Sequence, residues 1–251
     1  MLSLRSQKAL MWWFIGFGAL YGFAFIFLFR MFPPPSAQWS PDEIAQFYRD
    51  HGTGVRVGAM IGAWTGGWFV PLAVVLAAQM HRRETSERGA PVWTWLTLIA
   101  GGLMSVVIAL PMLFWGVAAY APTRAPDVTA LMHEMGILTF ITGTQYYVFV
   151  WVAIAVMCLL PNGIAHWPFP RWYGYFTILS AVALEAGAFP FLSRQGILAW
   201  NGLLPWWIPI SDFIVWGPVT CYLLLRAINA QIRDEESSAG RETAPGVEVG
   251  Q

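Results

Sequence analysis

Six long apolar runs, near residues 10–29, 56–79, 92–119, 135–160, 173–193 and 203–225, limit what this chain can fold into more than any other feature. About 20 apolar helical residues cross a bilayer core of about 30 Å, and each run meets that length. None alternates apolar and polar residues as barrel strands do, and a helix satisfies its own backbone in hydrocarbon. The expected fold is therefore all-α, a polytopic transmembrane helix bundle of about six spans over residues 1–232. Only 11% of the residues are charged, against about a quarter in soluble domains.

Cations set the expected orientation. Arg5 and Lys8 precede the first run, and Arg82, Arg83 and Arg88 lie between the second and third. Arg171 opens the fifth, and Arg226 and Arg233 follow the sixth. An even number of spans puts these groups on one side, which the excess of cations predicts to be cytoplasmic, N-in and C-in. The first run is longer than a signal-peptide core, and no small-x-small cleavage site follows it, so a retained helix in the cell membrane is expected. Trp12, Trp13, Trp93, Trp95, Trp167, Trp172, Trp200, Trp206 and Trp207 fall near span ends, where indoles anchor at headgroups. Ser40-Pro41-Asp42-Glu43 carries a cap serine, a first-turn proline and an acid at the third position, which predicts a short amphipathic helix over 41–51 on the outer surface. The tail 233–251 has too little apolar surface to fold and is expected to be a disordered cytoplasmic segment.

Several chemistries are excluded or unsupported. Lys8 is the only lysine, so no intramembrane Schiff base can form. No basic stripe suggests nucleic acid. Cys158 and Cys221 stand apart without a CxxC pair and read as packing residues. No P-loop, HExxH, GxSxG or histidine pair spaced for two haems is present, so no cofactor is expected.

Phe32-Pro33-Pro34-Pro35, Ile44-Ala45-Gln46-Phe47-Tyr48 and Trp200-Asn201-Gly202-Leu203-Leu204 resemble a family of uncharacterised bacterial multi-span membrane proteins. The resemblance covers most of the chain and implies a bundle of about six helices. It implies no activity.

Glu185 and Asp212 are acids inside apolar runs. At a rise of about 1.5 Å per residue, Glu185 comes about 20 Å up span five and Asp212 about 13 Å below the outer end of span six. They are expected at one level in the outer half, with Gln145 and Thr65 at a similar height. A charge there costs at least about 2.5–3.5 kcal/mol. If the acids face each other, burial and mutual repulsion would keep at least one neutral. The alternative is an acid that hydrogen-bonds a neighbouring helix and only holds the bundle together. Gly62, Gly66, Gly67, Gly101, Gly102, Gly143 and Gly187 suggest close helix approach. Pro71, Pro111, Pro190, Pro205, Pro209 and Pro218 are expected to break or bend helices, and such breaks can form ligand sites. His133-Glu134 falls near the outer rim by Arg56 and His51. Adjacent helical side chains diverge by about 100°, so a rim ion pair is expected there rather than a metal site.

Three functions fit. The first is a protein that binds or moves a lipophilic small molecule in an outer-half cavity lined by Phe, Trp and Met, with Glu185 and Asp212 holding its polar end and Gln145 and Thr65 beside them. The second is an intramembrane isomerase or cyclase for a terpenoid-like or other hydrophobic substrate, using Glu185 and Asp212 as catalytic acid and base. The third is a subunit of a larger membrane complex or a homo-oligomer. Membrane lipids are partners in all three.

Overall fold

In the computed structural model, which describes residues 2–84, 90–161 and 163–242, the chain is helical and no strand occurs among the described residues. Six helical units are long and apolar enough to cross a membrane: Leu4–Leu28, Pro41–Glu84, Val92–Tyr120, Pro126–Leu159, Arg171–Phe191 and Gly196–Ala239. They are the six expected from hydropathy. Arg88 and residues 243–251, to which the sequence assigned a loop cation and the end of the tail, lie outside the described residues.

The units subdivide into α1 (Leu4–Phe23), α2 (Pro41–Thr65), α3 (Phe69–Glu84), α4 (Val92–Tyr120), α5 (Pro126–Thr142), α6 (Val148–Leu159), α7 (Arg171–Glu185) and α8 (Ile208–Glu242). Neighbours in sequence pack side by side: α3 on α4, α4 on α5, α6 on α7 and α7 on α8. Contact between α1 and both α3 and α8 closes the ring. The first turn of α1 and the later turns of α8 lie at the same end of the bundle, where Arg5 approaches Glu236 to 3.8 Å.

Polar side chains fasten that end. Gln79 on α3 donates to Gln7 on α1 (2.7 Å), and Gln231 on α8 donates back to Gln79 (3.1 Å). Consecutive charges of α3 do separate work. Glu84 accepts the backbone N–H groups of Trp93 and Thr94, both at 2.9 Å, and so caps α4. A carboxylate at a helix N-terminus satisfies orphan donors and complements the dipole. Arg83, only 2% exposed, donates to the carbonyls of Met157 and Pro161 at the end of α6. Its guanidinium also lies 5.5 Å from the centre of the Trp167 ring. The sequence counted Arg83 as a loop cation. The fold uses it as a buried cap.

Two expected elements differ. The capping box at Ser40 and Glu43 forms as its residues predict, but 41–51 is not a separate surface helix. It is the first part of α2 and runs unbroken to Thr65. Its apolar face is buried, because Ile44, Ala45 and Tyr48 pack inward and Tyr48 reaches His133 on α5. The tail expected to be unfolded from Arg233 is instead helical to Glu242. A nucleated helix adds residues at little cost, and Asp234 and Glu236 make contacts with His166 and Arg5.

The close-approach glycines separate into two groups. Gly62 and Gly66 sit against Met112 and Ala109 of α4, Gly101 against Ala73, and Gly143 against Val107. Gly187 sits against the carbonyl of Ile141. Gly67 and Gly102 face open space. Pro111 and Pro218 are accommodated inside continuous helices.

Candidate functional site

Among the helices lies an apolar cavity of about 290 Å³, open on one side and lined from α1, α4, α5, α6, α7, α8 and the connecting segments. Why it stays open can be read from local structure. Gly18 and Gly22 on α1 present no side chain to it. Three departures from α-helix border it: a π-helical turn at Ala24–Leu28, a 3-10 segment at Gly143–Tyr147 and a second π turn at Leu203–Trp207. They supply Phe25 and Ile26, then Thr144 and Tyr147, then Pro205 and Trp206. Irregular backbone at membrane depth is tolerated where it is buried in protein or lines a cavity, and π turns recur at functional sites.

Aromatic rings form the walls. Phe25 stacks on Phe140 (centroids 4.9 Å apart, planes at 26°) and on Trp206 (6.0 Å, 19°). Trp68 meets Phe213 edge to face at 6.2 Å. Tyr147, Trp151 and Trp206 are each 1% exposed, whereas Ile26 and Ile214 are 41% and 58% exposed. The cavity therefore reaches the surface between α1 and α8, on the face that a bilayer would cover.

The two acids do not share this cavity or each other. Asp212 accepts a hydrogen bond from Ser180 of α7 at 3.0 Å, and its other oxygen has no partner among the described residues. Cavity-lining Pro209, Ile210, Phe213 and Ile214 define one face of α8. At about 100° per residue Asp212 is turned roughly 130° from it. Glu185 closes α7 five residues beyond Ser180, about 140° around the helix axis. It lies on the exposed face beside Val182, and its carboxylate makes no hydrogen bond or ion pair among the described residues. Gln145 does meet this region, but through backbone, by donating to the carbonyls of Leu184 (3.2 Å) and Glu185 (3.3 Å). Thr65 donates to Ile61 within its own helix and joins none of the others. The equal depth expected from counting residues does not produce a common site.

His133 and Glu134 also part. Glu134 forms a rim ion pair at 2.8 Å, with Arg194 rather than Arg56. His133 is fully buried, with Nδ1 2.9 Å from the Tyr48 hydroxyl. No group of three His, Cys, Asp or Glu side chains suited to a metal occurs among the described residues.

Sequence reasoning missed the cavity residues for a definable reason. Trp206 and Trp200 fall near a span end and read as interface anchors, as exposed Trp12, Trp13, Trp95 and Trp172 are placed to be. Trp206 is instead a cavity wall, and buried Trp200 donates to Pro35 at 2.8 Å. The available signal was Pro205 and Pro209 four residues apart, which disrupt the start of span six where the cavity forms. Comparison with protein-family models, with curated proteins and with solved structures finds no match.

Proposed function

We propose that this chain is a multi-span membrane protein that binds a lipophilic small molecule in the aromatic cavity, entered from the bilayer between α1 and α8. The observation that carries the reading is the convergence of three non-α segments on one apolar cavity. Its volume lies near the lower end of ligand pockets, roughly 300–1,000 Å³. Glu185 and Asp212 are not the ligand's anchors in this reading, because neither lines the cavity. Their separation also removes the geometric support for a paired acid–base enzyme. Ser180 gives Asp212 a helix-joining role.

The uncharged fluorescent aromatic N-phenylnaphthylamine tests the proposal. Protein in lipid nanodiscs is expected to bind it saturably, at about one site per chain, above the level in protein-free nanodiscs. Glu185→Gln and Asp212→Asn should leave that binding unchanged. Uptake that never saturates would sink the reading.

Glu185 favours a second reading, in assembly. A carboxylate on the exposed face of an apolar helix is costly unless something covers it. A second copy of this chain, or another subunit, presenting a hydrogen-bond donor to α7 would do so. Protein extracted in mild detergent is then expected to run above monomer mass, with Glu185→Ala returning it to monomer. A monomeric wild type would rule this out.

A further inference from the structure

At the end of the bundle where Arg5 meets Glu236, away from the aromatic cavity, a second opening has a different chemistry. It is a groove of about 460 Å³ between α8 and the connection from α6 to α7. Arg226 and Arg233 stand about two turns apart on one face of α8, and Ala227 and Ala230 leave space between them. The opposite wall is the segment 166–170. No acid lines the groove among the described residues.

That wall is fixed by contacts of its own. The His166 carbonyl accepts a hydrogen bond from Gln231 of α8 at 3.0 Å, and the His166 ring meets Asp234. Phe169 is buried and stacks on Tyr173, with ring centroids 5.0 Å apart. Pro168 and Pro170 restrict the backbone on either side of it.

The two arginines are uncommitted. Both are exposed, and neither side chain makes a hydrogen bond or ion pair among the described residues. The three acids that follow on α8 are engaged elsewhere: Asp234 with His166, Glu235 with the charge of Arg82, and Glu236 with Arg5. Beside the groove residue Pro170, α7 begins at Arg171, and no side chain caps it. Its positive end adds to the field of the guanidinium groups. Two unneutralised guanidinium groups on one groove suit a phosphate, which each can bind through paired N–H donors.

The level of the groove favours a phosphate carried by a lipid. Residues 213–225 carry no charge, and Arg226 is the first cation after them. Arg226 therefore marks where an apolar exterior gives way to headgroups, and Arg233 lies about 10 Å further along the helix. Exposed Trp172, in the first turn of α7, suits the same boundary. Basic pockets at the ends of membrane helices are suited to acidic headgroups. We propose that this groove binds the headgroup phosphate of an anionic phospholipid between Arg226 and Arg233.

The test uses the full chain, delipidated in dodecyl maltoside and titrated with dioleoylphosphatidylglycerol or dioleoylphosphatidylcholine. Native mass spectrometry counts the bound lipid. Phosphatidylglycerol is expected to saturate at about one per chain and to bind about tenfold more tightly than phosphatidylcholine. Arg226→Gln and Arg233→Gln should each lower that ratio by about threefold or more. Arg49→Gln, near the other end of the bundle, should leave it unchanged. Circular dichroism checks that the variants stay helical. Equal affinity for the two lipids, or a ratio that survives both groove substitutions, overturns the proposal. Displacement of the lipid by inorganic phosphate at millimolar concentration overturns it in favour of a soluble phosphate ligand. None of these results bears on the aromatic cavity, whose probe is uncharged.

Discussion

Gly22→Leu is expected to abolish binding at the cavity, weakening N-phenylnaphthylamine by about 100-fold or more, roughly 2.7 kcal/mol. Gly22 lines the cavity, and a Cβ built on it meets nothing within 4 Å. A leucine side chain therefore enters the cavity without forcing the helix to move. The fold should not suffer, since glycine in a helix interior costs about 1 kcal/mol relative to good helix formers. Unchanged or raised stability with lost binding separates blocking of the site from damage to the bundle. Wild-type affinity in the folded variant would show that the ligand sits elsewhere. Gly18 is a poorer choice for the same experiment, because its Cβ would lie 2.9 Å from the Trp68 ring.

The largest expected loss of stability comes from another glycine. Gly187→Ala should cost about 3 kcal/mol, at the upper end of ordinary overpacking. Its Cβ would run into the carbonyl oxygen of Ile141, which belongs to backbone and cannot rotate aside. The neighbouring amide of Gln145 ties the same place to the carbonyls of Leu184 and Glu185, so the 3-10 segment that follows α5 and the end of α7 cannot separate without losing those bonds. Gly102→Ala is the paired control. Nothing lies within 4 Å of its Cβ position, and helix propensity predicts a gain of up to about 1 kcal/mol. Unfolding of both variants in sodium dodecyl sulfate, followed by helical circular dichroism, measures the difference. A Gly187→Ala protein as stable as wild type would mean that this contact is looser than the geometry gives.

These two glycines show where local reading stops. Gly102 and Gly187 look alike in sequence, each a small residue in an apolar run. Only the position of a neighbouring chain distinguishes the one that needs to be small. The tryptophans teach the same lesson. Trp172 and Trp206 both stand near the end of a run, yet one is 54% exposed and the other 1%. Interface preference places an indole in depth, whereas rotation about the helix axis places it inside or outside.

What the sequence determined by itself was the all-helical class, the number of spans and the capping box at Ser40 and Glu43. Each depends on contiguous residues: length against bilayer thickness, and a side chain reaching backbone three positions away. The positions of Glu185 and Asp212 along their helices are countable for the same reason. The tertiary structure alone decided which way they face. A helix that is apolar all round has no amphipathic stripe to fix its rotation, so packing with α6, α7 and α8 sets the angle. That packing turned Asp212 to Ser180, left Glu185 on the outer face, and gave the bundle's interior to Phe25, Tyr147 and Trp206. The pair of acids that drew attention in the sequence belongs to helix packing and to an outer surface, and the cavity belongs to aromatic residues that interface preference alone does not tell from anchors.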